Sequence, residues 1–241
     1  MSSNVIAIDG PCYAGKSTIA LALARLTGYT YINTGHMYRA VAKEALQQGI
    51  SLTNTEVIIS IAEGLSICFE QQGDSCRTIV NGKDLTDSLD SLQISSGAAQ
   101  IAPYSGLRRV LTDMQRSYAG GEKPVIFEGR DIGLVVFVDA VWKFFITASV
   151  EVRAERMKKI LMKIQNESLP DMTTLMATID ERDERDQKRE IAPLKMANDA
   201  ILYDNSDSPS AAQDALILQY YVNHISEIVR NAPFLKNKFK F

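Results

Sequence analysis

The sequence has few cysteines, no excess of basic charge and no long apolar segment, and each shortage excludes a class of protein. The three cysteines, Cys12, Cys68 and Cys76, are an odd number without the spacing of a metal site, so we expect free thiols in a reducing compartment. The formal net charge of −3 and the pI near 5.5 provide no bulk field for a polynucleotide, so no nucleic-acid partner is expected.

The sequence also shows no sign of membrane targeting. No apolar stretch approaches the length of a transmembrane helix, and residues 1–4 lead directly into the first apolar run, which leaves no room for a signal peptide. We therefore expect a cytoplasmic protein without membrane contact, and we expect a monomer. Its 241 residues can form one α/β domain with additions or two small domains, and either can bury a sizeable core.

A glycine-rich stretch near the start organises the rest of the chain. Residues 4–9 are a short apolar run typical of a buried parallel strand, and helical periodicity follows from Ser17 to Leu26. Between them the sequence fits the phosphate-loop pattern of glycine, four residues, glycine, lysine and Ser/Thr. The predicted phosphate-binding residues are Gly10, Pro11, Cys12, Tyr13, Ala14, Gly15, Lys16, Ser17 and Thr18.

Each residue type in this loop has a physical task. Gly10 and Gly15 permit backbone angles that turn successive N–H groups toward phosphate oxygens. Lys16, which we expect to pack little against the fold, adds a charge that reaches the β- and γ-phosphates, and the Ser17 hydroxyl is placed to bind Mg²⁺. The alternative, a chance glycine-rich turn, is disfavoured by the flanking strand and helix. The loop therefore predicts a nucleoside triphosphate site but does not identify the acceptor.

The remaining chain alternates between predicted strands and helices. We predict strands at residues 29–32, 125–127, 142–147 and 200–204, a helix at 95–118 with Arg108 off its apolar face, and a helical hairpin from residue 150 that is interrupted at 166–173. In residues 66–87 apolar and polar residues alternate instead. With turns at 73–74 and 81–82, this pattern predicts a small antiparallel sheet. The last helix begins at Ser208 and Pro209 and continues towards residue 232.

Polar residues follow two of the predicted strands. The second strand leads into Asn33 and Thr34, and the third leads into residues 128–131, so both groups lie at the edge where α/β proteins bind ligands. At residues 33 and 34 a simple helix cap is an equally good interpretation.

The charged segment 180–189 has two interpretations. A solvated helix face with i,i+4 ion pairs is the commoner explanation of such a segment. The spacing favours a second one, because Arg182, Arg185, Asp186 and Arg189 lie at i, i+3, i+4 and i+7. One helix face would then present three guanidinium groups and a carboxylate to transferring phosphates.

Taken together, these segments resemble the bacterial cytidylate kinases over most of the chain. The resemblance rests on residues 8–18, on Thr34-Gly35 with Met37-Tyr38-Arg39, on residues 128–137, on residues 181–189 and on Ala192-Pro193-Leu194-Lys195. It implies an α/β P-loop kinase fold with a central parallel sheet flanked by helices, a small antiparallel insert and a helical lid. It also implies ATP and Mg²⁺ as cofactors and CMP or dCMP as the acceptor.

The resemblance further implies residue roles and boundaries. The implied catalytic residues are Lys16, Arg130, Arg182 and Arg185, and Ser17 is the implied metal ligand. The implied acceptor-binding residues are Thr34, Arg39, Arg108, Arg130, Asp131, Arg182, Asp186 and Arg189. The implied layout is a single domain over residues 1–241, with the core at 1–65, 91–150 and 191–232, the insert at about 66–90 and the lid at about 151–190.

The sequence departs from the family pattern at a few positions. Ala99 stands where a serine is common near the base, Asn33 replaces a common aspartate, and Gln187-Lys188 replaces the usual Arg-Asn. These changes put base selectivity and turnover in question more than the class of reaction. Two alternatives therefore stay open: another small-molecule or nucleoside monophosphate kinase, and a nucleotide-binding regulator without turnover.

Overall fold

A computed structural model describes residues 4–72, 75–121, 123–164, 169–208 and 210–231 of the chain. The elements are, in order, β1 (Val5–Asp9), α1 (Lys16–Thr27), β2 (Thr30–Asn33), α2 (Thr34–Gln47), α3 (Thr55–Gly64), β3 (Ile67–Gln72), β4 (Ser75–Val80), β5 (Lys83–Asp84), α4 (Leu92–Ile101), α5 (Ser105–Tyr118), β6 (Val125–Glu128), β7 (Trp142–Thr147), α6 (Val150–Ile164), α7 (Met172–Gln187), β8 (Ile201–Asp204) and α8 (Ala211–Asn231). A 3-10 turn spans Asp87–Asp90, and a π-helical turn spans Ile132–Val136.

Five strands form a parallel sheet in the order β2-β6-β1-β7-β8. All five residues of β1 are buried, as expected of an apolar strand covered on both faces. The register places Ile8 opposite Glu128, and Asn33 opposite the same Glu128. The polar residues that end β2 and β6 therefore lie at one edge of the sheet, directly beside the end of β1.

The helices cover the sheet through separate apolar clusters. Ile19 and Leu23 of α1, together with Ala215 and Leu218 of α8, pack against β1 and β7 on one face. On the other face, β1, β2 and β6 pack against the π-helical turn and the residues that follow it. Helices α2 to α5 form a further cluster with the antiparallel strands. The predicted α/β fold with a central parallel sheet is confirmed.

The predicted antiparallel insert is also confirmed, with the strand order β3-β4-β5. Its second turn has positive φ at Asn81 (49°) and Gly82 (77°), the conformation that an Asn-Gly hairpin favours. The predicted turn at residues 73–74 lies outside the described residues. Within the described part of the chain, no helix is both long and apolar enough to span a membrane.

Some predicted helix boundaries are wrong. The helix predicted at 95–118 is two helices, α4 and α5, because the chain breaks at 102–104 around Pro103, whose ring cannot continue a helix. Helix α8 begins at Ala211, where the Ser210 hydroxyl accepts from the N–H of Gln213 at 3.3 Å, so Ser208 is not its cap. Pro209 lies outside the described residues, as do residues 166–168 of the predicted hairpin interruption and the chain beyond residue 231.

Candidate active site

The phosphate loop connects β1 to α1 in a conformation that requires its glycines. Gly10 has φ 147°, and a Cβ there would lie 2.0 Å from the backbone oxygen of Ile146. Gly15 has φ 91° and precedes the first residue of α1. Tyr13 also has a positive φ (56°), which is uncommon for a residue with a side chain. Helix α1 begins directly after this loop, and the unpaired N–H groups of a helix start favour an anion there.

Lys16 is enclosed by the loop that carries it. Its side chain is buried, at 4% exposure, and its ammonium donates to the carbonyl oxygen of Pro11 at 2.7 Å. The expectation that this lysine packs little is therefore wrong. Burial, and then the nearby charge of Arg130, lowers the pKa of Lys16 from 10.5 to about 7, while the charge of Glu128 acts in the opposite direction. An arriving phosphate would restore the positive charge of Lys16.

Glu128 is a residue of this site that the sequence analysis did not assign. It is buried at the end of β6, and its carboxylate accepts from the Ser17 hydroxyl at 3.0 Å and from the Tyr31 hydroxyl at 2.6 Å. Because Ser17 donates its hydrogen to Glu128, the lone pairs of the Ser17 oxygen remain available to a cation. The sequence signal was a carboxylate at the end of a buried strand, but only the strand order places that strand next to β1.

A cavity of about 1100 Å³ opens on the phosphate loop and extends between α2, α4 and α7. It brings together most of the side chains that the sequence analysis selected. The predicted site residues that line it are Cys12, Tyr13, Gly15, Lys16, Ser17, Thr18, Thr34, Arg39, Arg108, Arg130, Asp131, Arg182, Asp186 and Arg189. Arg185 does not line it and is exposed on α7.

Two ion-paired groups of predicted acceptor residues lie in this cavity. Arg108 pairs with Asp131 and also donates to the carbonyl oxygen of Ala102 at 3.2 Å. Asp186 is buried between two guanidinium groups: Arg130 contacts it at 3.3 Å, and Arg189 pairs with its other oxygen. The charges of Arg130, Asp186 and Arg189 are therefore partly balanced within the protein rather than left to repel one another.

Asp9 fixes the segment that carries Asp131. The two oxygens of Asp9 accept from the N–H groups of Ile132 and Gly133, each at 2.8 Å. Burial raises the pKa of Asp9 to about 7, while these two N–H bonds act in the opposite direction. Asp9 thereby joins the end of β1 to the first residues after Asp131.

The question left open at residues 33 and 34 has a structural answer. The side chain of Asn33 caps α2 by accepting from the N–H of His36 at 3.3 Å. Thr34 instead donates its hydroxyl to the carbonyl oxygen of Glu128 at 2.7 Å and lines the cavity. Asn33 therefore acts as the helix cap, whereas Thr34 connects α2 to the end of β6.

The loop after β8 closes the other end of the cavity, and nothing in the sequence pattern indicated this. Arg156 of α6 donates to the carbonyl oxygen of Tyr13 at 3.3 Å and to the side-chain oxygen of Asn205 at 3.2 Å. A Cβ on Gly15 would lie 2.8 Å from the amide nitrogen of Asn205. Helix α6 and the β8 loop thus contact the phosphate loop directly.

The phosphate loop also packs against the hairpin of α6 and α7. The Cys12 side chain is buried in an apolar cluster with residues from both helices. Burial raises the pKa of the Cys12 thiol above its ordinary value. Beside it, Arg153 of α6 forms a buried ion pair with Asp183 of α7.

Comparison with known proteins identifies this arrangement. The family model described as cytidylate kinase matches residues 6–230. The cytidylate kinase of Pseudomonas paraeruginosa is 41% identical over 206 residues, covering 84% of this chain and 88% of the relative. That of Citrifermentans bemidjiense is 40% identical over 202 residues, covering 84% and 85%.

A solved structure of a gluconokinase from Sinorhizobium meliloti covers 97% of each chain at 15% identity, and its TM-score of 0.44 marks a weak likeness. The sequence relatives are closer, and the family match spans nearly the whole chain. This chain belongs to the cytidylate kinase family.

Proposed function

We propose that the protein transfers the γ-phosphoryl group of ATP to the 5′-phosphate of CMP or dCMP, giving ADP and CDP or dCDP. The observation that carries this proposal is a single cavity that holds the phosphate loop at one side and the Arg108–Asp131 pair at the other. The guanidinium groups of Arg39, Arg130, Arg182 and Arg189 line the same cavity. A donor triphosphate and an acceptor nucleotide would meet end to end in that space.

On the donor side, the loop N–H groups and Lys16 bind the phosphates of ATP. The pKa of Lys16, about 7, means that phosphate binding would shift the lysine to its charged form where the transferring group gains charge. The reaction needs no covalent enzyme intermediate, because alignment of the phosphates and balanced charge supply most of the catalysis.

On the acceptor side, Arg39 and Arg130 bind the 5′-phosphate, because a guanidinium fork matches pairs of phosphate oxygens. Asp131 accepts from the cytosine amino group, and Arg108 donates to the ring acceptors of the base. Thr34, Arg182 and Arg189 complete the phosphate environment, and Asp186 accepts from a ribose hydroxyl. Arg185 reaches the phosphates only if α7 moves, because its side chain is exposed here.

The donor set also suits Mg²⁺. Ser17 would hold the ion through a hard hydroxyl oxygen of the kind that Mg²⁺ prefers. The Glu128 carboxylate, which accepts from that hydroxyl at 3.0 Å, would orient this ligand from behind and add negative charge near the ion. When bound, Mg²⁺ neutralises negative charge on the phosphates of ATP.

The proposed kinase domain has an insert and a lid in addition to its core. We propose one domain over residues 1–241, in which residues 66–90 form an acceptor-side insert and residues 151–190 form a lid. Helices α6 and α7, which contact the phosphate loop through Cys12 and Arg156, form that lid. Its closure would exclude water from the phosphates.

An acceptor panel tests the proposal. Purified protein with ATP and Mg²⁺ is given CMP, dCMP, UMP, AMP, GMP and gluconate in turn. The phosphorylated acceptor and the ADP released are both measured. We expect turnover with CMP and dCMP and none with gluconate, and chelation of Mg²⁺ should abolish it. Preference for a different acceptor would favour another small-molecule kinase. ATP and CMP binding without ADP formation would favour a regulator without turnover.

A further inference from the structure

One guanidinium of the acceptor side is already paired with a carboxylate at the rim of the cavity. Arg39 of α2 forms an ion pair with Asp90, and both residues line the cavity. The Arg39 side chain is 24% exposed, whereas the Asp90 side chain is 56% exposed. The pair therefore lies in the lining of the cavity, with its carboxylate partly open to solvent.

Asp90 is held in this position from two sides. It ends the 3-10 turn Asp87–Asp90, directly before α4, and His36 of α2 lies 3.5 Å from the same carboxylate oxygen. The other ring nitrogen of His36 is 2.7 Å from the hydroxyl of Thr78 on β4. The Asp90 carboxylate is thus linked to helix α2 directly, and to the antiparallel insert through His36.

We propose that Asp90 is an internal competitor of the acceptor's 5′-phosphate, occupying Arg39 in the free protein and giving it up when the nucleotide binds. The proposal rests on the proposed function, in which Arg39 binds that phosphate. A carboxylate and a phosphate present paired oxygens of similar geometry to a guanidinium fork, so one replaces the other at the same donors. The phosphate carries the larger charge and therefore displaces the carboxylate.

Displacement leaves Asp90 in an environment that tolerates its charge. More than half of its side chain already contacts solvent, and His36 remains within 3.5 Å. The free energy of the Arg39–Asp90 pair is nevertheless lost each time a nucleotide binds. Because this loss applies equally to the bound substrate and to the transition state, Asp90 should raise the KM of the acceptor without changing kcat or the KM of ATP.

The first test compares Asp90→Asn with a matched control. We expect Asp90→Asn to lower the KM for CMP about threefold to fivefold, the upper part of the range expected from losing a partly exposed ion pair. Calorimetric titration without ATP should show the same tightening of CMP binding and of inorganic phosphate binding. The control Asp84→Asn removes the same charge from an ion pair with Arg77 on the antiparallel insert, and Asp84 does not line the cavity. It should leave all of these constants unchanged.

The second test asks whether the effect passes through Arg39. In an Arg39→Gln background, Asp90→Asn should no longer alter CMP binding. An unchanged or higher KM in Asp90→Asn, an equal fall in Asp84→Asn, or persistence of the effect without Arg39 would each overturn the proposal. If Asp90→Asn unfolds at a lower temperature than the wild type, Asp90→Ser is measured in the same way.

Failure of the proposed function gives a different result. In that case the wild type would not convert CMP at all, whatever residue stands at position 90. The titration with inorganic phosphate would still decide the role of Asp90, because it needs neither the base nor ATP. Tighter phosphate binding in Asp90→Asn than in the wild type and in Asp84→Asn supports the competition, and equal binding refutes it.

Discussion

Arg108 on α5 and Asp131, three residues after the end of β6, are bonded to each other, with side chains only 8% and 10% exposed. The bond uses one nitrogen of Arg108 and one oxygen of Asp131, and the Arg108 guanidinium also lies 5.7 Å from the centre of the Tyr38 ring. Each partner keeps further hydrogen-bonding capacity. The pair can therefore stay intact while it presents a donor and an acceptor, in fixed relative positions, to a base.

This geometry predicts the effect of Asp131→Asn on base choice. Uracil has a carbonyl where cytosine has an amino group, so it would leave the Asp131 carboxylate facing another acceptor, a mismatch of about 1–3 kcal/mol. The wild type should therefore prefer CMP to UMP by roughly tenfold or more in kcat/KM. In Asp131→Asn the amide can donate to the uracil carbonyl, and the ratio should fall severalfold.

Steady-state kinetics with both nucleotides measures that ratio, and Asp113→Asn, the same change at an exposed position of α5, is the control. Because Asp131→Asn leaves the buried Arg108 without its countercharge, the unfolding temperature of this variant should also fall. A lower unfolding temperature with an unaltered CMP to UMP ratio would show that Asp131 supports the fold but does not select the base.

Lys16→Met should separate catalysis from stability. Turnover should fall at least about 100-fold, because the charge that stabilises the transferring phosphoryl group is lost. The free energy of unfolding should rise at neutral pH, because methionine fills the same buried space without a charge. Lys188→Met, at an exposed lysine directly after α7, is the control and should alter neither quantity.

The pH dependence of this stability difference follows from the lowered pKa of Lys16. Between pH 7 and 10.5 the unfolded chain holds a proton on Lys16 that the folded protein lacks. The free energy of unfolding of the wild type therefore increases with pH in this range. The advantage of Lys16→Met should thus be largest below pH 7 and should shrink towards pH 10. Urea unfolding of both proteins at pH 6 to 9 measures this difference in the free energy of unfolding. A difference that does not vary with pH would contradict the lowered pKa of Lys16.

Glu128→Gln should weaken the response to Mg²⁺. Glutamine offers a single oxygen to the two hydroxyl donors Ser17 and Tyr31, so the Ser17 oxygen loses its fixed orientation. The Mg²⁺ concentration for half-maximal activity should rise about tenfold, as is common when a group behind a metal ligand is altered. Tyr31→Phe is the matched control, since it removes the 2.6 Å bond to Glu128 but keeps the Ser17 bond. A larger shift in Tyr31→Phe than in Glu128→Gln would contradict this arrangement.

Substitutions of Arg182 and Arg185, both on α7, should have very different effects on kcat. Arg182 lines the cavity and contacts the Ser95 hydroxyl at 3.4 Å, and its Nε is buried with no hydrogen-bond partner among the described residues. Arg185 is exposed. Arg182→Gln should lower kcat about 100-fold or more, as loss of a charge-stabilising donor does, and Arg185→Gln should lower it less than about threefold. Equal losses would mean that α7 turns on closure and brings Arg185 to the phosphates. Arg185 would then share a face with Arg182, as its spacing in the sequence predicts.

The part of this protein that follows from local spacing could be predicted. The phosphate-loop pattern, the apolar strand before it, the helix after it and the Asn81–Gly82 turn each depend on neighbouring residues, and the structure has them where the sequence places them. The break at Pro103 was also present in the local sequence, but the apolar periodicity on both sides concealed it. Arg182 and Asp186 lie one helical turn apart on α7, as the helical repeat predicts, whereas Arg189 lies beyond the end of that helix and not on its face.

The sequence by itself determined which chemical groups this chain carries and which short segments present them, because backbone propensity, glycine geometry and apolar periodicity act over a few residues. Only the tertiary structure decided which groups touch. Ser17 meets Glu128 because β6 lies beside β1, Asp186 is shared by two arginines rather than exposed, and Asp90 rather than solvent holds Arg39. Except for Asp186 and Arg189, these pairs join residues far apart in the chain, and strand order and helix packing, which no local pattern encodes, bring them together.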